Sequence, residues 1–283
     1  MIDTAILVVT SNATVNPILP EHRPLLWPVL GKPMIIQAIE PLYRLGVHDF
    51  KVLIGVEDTI ALGQLQRRWM PEVTIDVSMI MPEETRQQAI QRIYSSAKQD
   101  EKAAVIMGSN VFIDENTLSN IVNGTGLEIA VSADHTPISC ARLSADQIAN
   151  LAQKPGNMPL KEMLTTLSEN TEARYHTAQW HIQVDTLADL YRLHQQLQDI
   201  QGDPYILSDI SDTVKIIPPV RIDPQVSIGQ GSTIGPYVYL ERGTRVGYRA
   251  HIDHALILDR GTVDANETVS GVVISKNGRY SVS

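Results

Sequence analysis

The chain reads as an α/β fold, a mostly parallel sheet flanked by helices, followed by a short left-handed parallel β-helix of six-residue repeats. Over about the first two hundred residues, β-branched apolar runs alternate with segments of helical period, the pattern that crossover helices on a parallel sheet produce. Further on, Ile222, Ile228, Ile234, Leu240, Val246, Ile252 and Leu258 fall at unbroken intervals of six. Residues tolerant of tight turns follow most of them: Asp223, Gly229, Gly235, Gly247, Asp253 and Asp259. A period of six fits neither a 3.6-residue helix nor a two-residue strand alternation. It fits a triangular solenoid in which each flat face sends one side chain inward and each corner needs a permissive residue.

In chain order, residues 4–9 read as a strand entering a polar loop, 10–16. A helix over 34–45 stops at Gly46, and 51–56 is a strand. Helical period over 60–69, extended character over 74–80, a helix over 84–97 and a buried strand over 103–107 repeat the pattern. Past Asp114 the order is less regular, with strands expected at 128–133 and 137–143 and helices at 145–152, 159–167 and 186–198. Residues 201–213 hold Gly, Pro, Ser and three Asp, a linker composition. The expected organisation is an α/β domain over 1–200, a linker over 201–214 and the β-helix over 215–283.

A chain of 283 residues that is 43% hydrophobic can bury a substantial core. Its net charge of -9 argues against a nucleic-acid partner, since phosphate neutralisation rests on Lys and Arg. Cys140 is the only cysteine, which removes a disulfide framework and a cysteine-based zinc site and fits a cytoplasmic location. The start lacks the basic and long apolar regions of a signal peptide, and no run approaches the roughly 20 apolar residues of a membrane span. No membrane partner is expected.

Residues 24–46, PLLWPVLGKPMIIQAIEPLYRLG, closely resemble the segment after the nucleotide loop in sugar-1-phosphate nucleotidyltransferases, which carry a run like PLLPVAGKPLI and then a helix ending in glycine. Residues 103–114 look like that family's central strand and its "GD-V-(F/I)-I-D" region. Residues 180–190 are similar to its "W-x-D-(I/T)-(G/D)-T-x-x-D-L" segment, and a hexapeptide-repeat domain after such a domain is usual there. The resemblance implies a Rossmann-like α/β domain joining a nucleoside triphosphate to a sugar phosphate. That chemistry needs backbone N–H groups near the triphosphate, cations, and a bridging metal ion.

Each of those needs meets an altered position. The loop Thr10-Ser11-Asn12-Ala13-Thr14-Val15 has no glycine, and Val15 stands where the resemblance implies an arginine. Thr10, Ser11, Asn12 and Thr14, with Gly108, are what remains of a nucleotide-binding set. Pro24 replaces a lysine, leaving Arg23 and Lys32 as the nearest cations, with Lys32 better explained by the "GKP" turn. The two metal-ligand positions fall on Asn110 and Gln183, and a neutral amide holds Mg²⁺ much less strongly than a carboxylate. Asp185, two residues on, would share the strand face of Gln183 and take over coordination if the correspondence with the family segment is shifted. Thr85-Arg86-Gln87 stands where "GTA" would open a helix, and Glu83 and Glu84 read as acids favourably placed at a helix start.

No Walker loop, G-x-S-x-G elbow or G-x-G-x-x-G after the first strand is found. His251 and His254 flank the inward Ile252 and face outward, which makes an acyl-transfer base at either a minor alternative to surface histidines. His176 and His181 flank Trp180 without metal-ligand spacing and read as parts of the closing strand.

The expected function is a nucleotidyltransferase-like protein without catalysis, serving as a regulatory or scaffolding subunit or as a nucleotide-sugar sensor. The alternative is an active enzyme making an NDP-sugar and pyrophosphate, with Arg23, Lys32, Asn110 and Asp185 in reduced roles. Mg²⁺ is expected only under that alternative, and otherwise no cofactor. The expected partners are further copies or an active relative, joined through the β-helix, with a nucleotide or sugar nucleotide as ligand.

Overall fold

The computed structural model describes residues 4–9, 16–20, 22–61, 73–96 and 103–282. The described residues form two compact units: 4–9 with those of 35–183, and 16–34 with those of 184–282.

In the first unit a seven-stranded sheet has the order β10-β8-β9-β6-β1-β4-β5. Here β1 is Thr4–Val8, β4 Asp49–Ile54, β5 Thr74–Met79, β6 Ala103–Gly108, β8 Leu127–Val131, β9 Pro137–Ser144 and β10 Ala173–Thr177. The pairs β6/β1, β1/β4, β4/β5 and β10/β8 are parallel, and only β9 runs against its neighbours. All five residues of β1 and all six of β6 are buried, as a strand covered on both faces requires. On one face Ile6, Val8, Ala104 and Ile106 pack with Ile90 and Ile93 of α2 (Arg86–Ser96), Ile148 of α4 (Ala145–Ala152) and Leu164 of α5 (Leu160–Asn170). Helix α1 (Met34–Arg44) ends as expected at Gly46, where φ is +93° and the Val47 N–H donates to Leu42 O at 3.1 Å.

Two elements on either side of Asp114 were not anticipated. A strand, β7 (Val111–Ile113), pairs antiparallel with β11 (His181–Gln183), and α3 (Glu115–Asn123) follows it. Asp114 caps α3, accepting the Thr117 N–H at 2.9 Å on one oxygen and the Gln179 N–H at 2.8 Å on the other. His176 and His181 therefore lie in separate strands, β10 and β11. The helix expected over 60–69 falls mostly outside the described residues, and Val56–Ala61 forms a 3-10 turn.

The second unit is a three-faced parallel β-helix. One face stacks β14 (Val220–Ile222), β17 (Val238–Leu240) and the end of β19 (His251–Ile257), Val220 pairing with Val238 and Val238 with Ala255. The next stacks β15 (Ser227–Ile228), β18 (Arg245–Val246) and β20 (Thr262–Val263). The third stacks β13 (Lys215–Ile216), β16 (Thr233–Ile234), the start of β19 and the start of β21 (Thr268–Ser275). Ile222, Ile234, Leu240, Val246 and Ile252 fill the centre, with Ile228 partly buried against them. The seventh position of the series is corrected: Ile257, not Leu258, pairs with Leu240 and joins the centre. The coil there is one residue shorter, so the six-residue count slips, and Leu258 is buried apart from the central cluster.

The linker expected over 201–214 also needs correction, because these residues open the solenoid. β12 (Tyr205–Ile206) pairs with β14, the Ser208 hydroxyl accepts the Val226 N–H at 2.9 Å, and the Thr213 hydroxyl accepts the Gly231 N–H at 3.2 Å. Helix α6 (Leu187–Gln201) and the turn between β2 (Pro28–Val29) and β3 (Lys32–Pro33) belong to this unit as well. They cover the outer side of the β14/β17 face. Tyr239 is fully buried there, stacked on His194 of α6 at 4.9 Å, donating to Asp223 at 2.7 Å and accepting the Gly31 N–H at 3.0 Å. His194 Nε2 bonds the Pro28 carbonyl at 2.9 Å, and burial pushes its pKa down to about 4. Leu30 and Gly31 both adopt left-handed φ, +44° and +80°, as a two-residue hairpin turn needs. A Cβ on Gly31 would stand 2.3 Å from the Arg221 guanidinium. The "GKP" turn is thus a clamp on the solenoid, and Lys32 lies within it, paired with Val29.

Candidate functional site

Chain order and strand order part company at β1. From β1 the chain builds β4 and β5 on one side and then crosses to β6 on the other. Such a switch point leaves a crevice beyond the carboxyl ends of the two strands, where open α/β sheets hold ligands. The loop 108–110 lies there, with the Ser109 N–H donating to Val8 O at 2.9 Å. Asn110 is completely buried, and its amide oxygen would lie 3.3 Å from a Cβ added to Gly108. That same Cβ would stand 3.5 Å from Ser139 Cβ, so glycine at 108 keeps the amide and β9 close together.

Ser139 leads into a cavity of about 340 Å³, also lined by Ser132, Asp134, Thr136, Pro137, Ile138, Lys161, His181 and Gln183. Gln183 stands opposite Val111, the residue after Asn110, in the β7/β11 pair. The turn between β8 and β9 supplies Ser132, Asp134 and Thr136, tightened by the Ser132 N–H donating to Thr136 O at 2.9 Å. The Ser132 and Thr136 hydroxyls and the Thr136 N–H hold the Asp134 carboxyl down at about 2. Lys161 enters from the first turn of α5.

The lining therefore offers three hydroxyls, an amide, an imidazole, one ammonium and one carboxylate. Such a set hydrogen-bonds a polyhydroxylated ligand with a single anionic group. One ammonium opposed by one carboxylate does not neutralise a triphosphate. Cys140 is not a nucleophile here, since full burial pushes its thiol up to about 12. Among the described residues no group of three or more His, Cys, Asp or Glu is placed to hold a metal ion.

Of the residues expected to matter, Gly108 and Asn110 lie in the turn between β6 and β7, Gln183 stands opposite Val111, and of the three only Gln183 lines the cavity. Thr10, Ser11, Asn12 and Thr14 lie outside the described residues. Arg23, Lys32 and Asp185 belong to the other unit, where Arg23 precedes the 3-10 turn Pro24–Leu26. Asp185 does not share the strand face of Gln183, because β11 ends at Gln183 and the chain then turns into α6. Its N–H joins the cap of that helix, donating to Asp189 at 3.3 Å beside the Thr186–Asp189 capping box. Arg86 and Gln87, at the expected "GTA" position, bond the 156–158 loop, Arg86 to Met158 O at 3.0 Å and Gln87 to Gly156 O at 3.1 Å. His251 and His254 both face Asp253, His254 at 2.9 Å and His251 at 3.7 Å, on the outside of the solenoid. Lys161, Asp134 and the three hydroxyls escaped sequence reasoning, as nothing in their spacing links a hairpin turn to a helix start.

The two units define a protein that pairs an open α/β sheet, with a polar crevice at its switch point, with a parallel β-helix. Residues 216–281 match the family model described as the GMPPB C-terminal domain, the β-helix domain of GDP-mannose pyrophosphorylase B, a sugar nucleotidyltransferase. The β-helix of this chain is similar to that domain. No curated protein matches it. No helix among the described residues is long and apolar enough to cross a membrane.

Proposed function

We propose that this chain is a sugar-nucleotidyltransferase-like protein that binds a sugar phosphate or sugar nucleotide in its α/β unit without transferring a nucleotidyl group. It serves as a regulatory or scaffolding subunit alongside further copies or an active relative. The observation that carries this reading is Asn110, a fully buried neutral amide at the switch point, with Gln183 near it. Transfer needs metal-held phosphates, and two amides are poor Mg²⁺ ligands. The β-helix is taken to wind left-handed, and no Mg²⁺ or other cofactor is required.

The test is pyrophosphate release by the purified chain with Mg²⁺, across nucleoside triphosphates and sugar 1-phosphates including mannose 1-phosphate and GTP. No turnover is expected, while a GDP-sugar or sugar 1-phosphate raises the melting temperature equally with and without Mg²⁺. Sustained turnover would establish the active alternative. Lys161→Ala should weaken sugar 1-phosphate binding about tenfold by calorimetry, the loss of one charge-assisted hydrogen bond. Unchanged affinity would place the ligand elsewhere.

Restoring the acids gives a second check. Asn110→Asp with Gln183→Asp places carboxylates where amides stand, one of them in a fully buried position. The double variant is expected to lose about 2–4 kcal/mol in EDTA, from burying charge, and to recover most of it in millimolar Mg²⁺. The unmodified chain should melt at the same temperature in both. A variant indifferent to Mg²⁺ would show that these positions do not face one metal site.

A further inference from the structure

At one corner of the solenoid four successive coils stack turn on turn. Thr213, Gly231, Arg249 and Asn266 follow one another there at spacings of 17 or 18 residues. Hydrogen bonds hold these turns in register. The Gly231 N–H donates to Thr213 Oγ1 at 3.2 Å, the Arg249 N–H to Gln230 O at 3.1 Å and the Asn266 N–H to Tyr248 O at 2.8 Å. Along the corner opens a cavity of about 560 Å³, lined by these four residues with Gln230, Tyr248 and Ala265. All of them belong to the repeat unit, and the volume suits a small organic ligand rather than a bare ion.

The corner holds its one cation at a backbone position that favours glycine. Arg249 has φ +54°, in the left-handed region, whereas the same position one coil earlier is Gly231, at +74°. The arginine stem lies back over that glycine, its Cγ 3.4 Å from a Cβ placed on Gly231. Arg44, Arg92, Arg174, Arg192, Arg221 and Arg279 each meet a carboxylate. The Arg249 guanidinium has no hydrogen-bond or ion-pair partner among the described residues, and the same holds for the side chains of Gln230, Tyr248 and Asn266. Tyr248 is 63% exposed, so its ring is not part of a core.

Each unpartnered group has a chemical preference. A guanidinium forks onto a phosphate with two parallel hydrogen bonds. A tyrosine ring stacks on a flat heterocycle. An amide side chain offers a donor and an acceptor side by side, which matches the edge of a nucleobase. One positive charge suits one phosphate rather than a chain of them. Inorganic phosphate would use the guanidinium and leave the ring and the amides idle.

We propose that this corner of the repeat unit binds a nucleoside monophosphate, with Arg249 on the phosphate, the Tyr248 ring against the base, and Gln230 and Asn266 on polar edges of the base or ribose. The site does not depend on the reading given above for the α/β unit. A ligand spanning stacked turns stabilises the coils that carry them.

Calorimetric titration of the full chain with AMP, GMP, CMP and UMP, compared with inorganic phosphate, tests this. At least one nucleotide is expected to bind about tenfold or more tightly than phosphate, the contribution of stacking. Arg249→Gly should weaken that binding roughly thirtyfold, through loss of the charge-assisted bonds. The variant should fold like the wild type, since the preceding coil already carries glycine at this position. Tyr248→Ala should weaken binding about tenfold and Tyr248→Phe hardly at all, because stacking needs the ring and not the hydroxyl. The titration is repeated on Lys161→Ala, whose cavity lies in the other unit, and the nucleotide affinity should be the same in that background. No binding at millimolar nucleotide, equal affinity for phosphate, or Arg249→Gly binding like the wild type would each overturn the proposal. So would an affinity lost in Lys161→Ala and kept in Arg249→Gly.

Discussion

Gly235→Ala is expected to cost about 4 kcal/mol or more and to melt the repeat unit well below the wild type. Gly235 has φ +107°, a conformation open to glycine and strained for any residue with a Cβ. A Cβ there would stand 1.8 Å from Ile217 O and 2.7 Å from Val220 Cγ2. The first of these is backbone of the preceding coil, and it cannot swing aside. Ile217 N is itself bonded to Ile234 O at 2.8 Å, and Gly235 N to Ile252 O at 2.8 Å, so relief at one coil breaks the ladder at the next. Gly231→Ala is the matched control. Its φ is +74°, but an added Cβ would meet only Arg249 Cγ at 3.4 Å, so the cost should stay near 1–2 kcal/mol. Urea denaturation of both variants, followed by far-UV circular dichroism, decides the matter. Equal losses would mean that the coils do not stack as closely as the distances state.

Glu241→Gln is expected to stabilise the protein at alkaline pH and leave it nearly unchanged at pH 5. Burial pushes the Glu241 carboxyl up to about 7 from 4.5. The Asp259 N–H, at 2.6 Å from Glu241 Oε2, works against that shift, and the Asp259 and Asp223 carboxylates along the same corner reinforce it. With the folded value above the unfolded one, the stability linked to this proton is fully present below about 4.5. It is lost as pH rises through about 7. The shift corresponds to about 3 kcal/mol at pH 8.5, where the folded protein must hold a buried carboxylate that glutamine does not have. Unfolding curves at pH 5 and pH 8.5 should therefore show the variant gaining on the wild type only at the higher pH. An equal difference at both would remove Glu241 as the source of the pH dependence.

The pattern of short strands was readable because each β-helix face has the same demand. One side chain points inward per face, so Ile222, Ile234, Leu240, Val246 and Ile252 declare themselves by interval alone. Parallel strands covered on both faces are equally plain, since β1 and β6 have no polar side to confuse the reading. Even the capping boxes at Ser144 and Thr186 are local, each using a side chain three residues on. The slip from Leu258 to Ile257 was not readable, because both are large and apolar and only the pairing with Leu240 separates them.

The site divides in the same way. Gly108, Asn110 and Gln183 were singled out through a resemblance of short segments, and the structure places them at strand ends, Gln183 opposite Val111. Asp185 was misplaced because one turn of chain, from β11 into the cap of α6, removes it from the strand. The cavity needs the β8–β9 turn, the start of α5 and the end of β11 in one place, and no spacing along the chain records that meeting.

What the sequence determined by itself is the class of each unit, because burial periodicity is a property of residues taken locally. What only the tertiary structure decided is membership and neighbourhood: that 201–214 opens the solenoid, that α6 and the 28–33 turn clamp it around Tyr239, and that Lys161 faces the hydroxyls beside Gln183. Those outcomes depend on single hydrogen bonds and close packing between segments far apart in the chain, where composition and period carry no information.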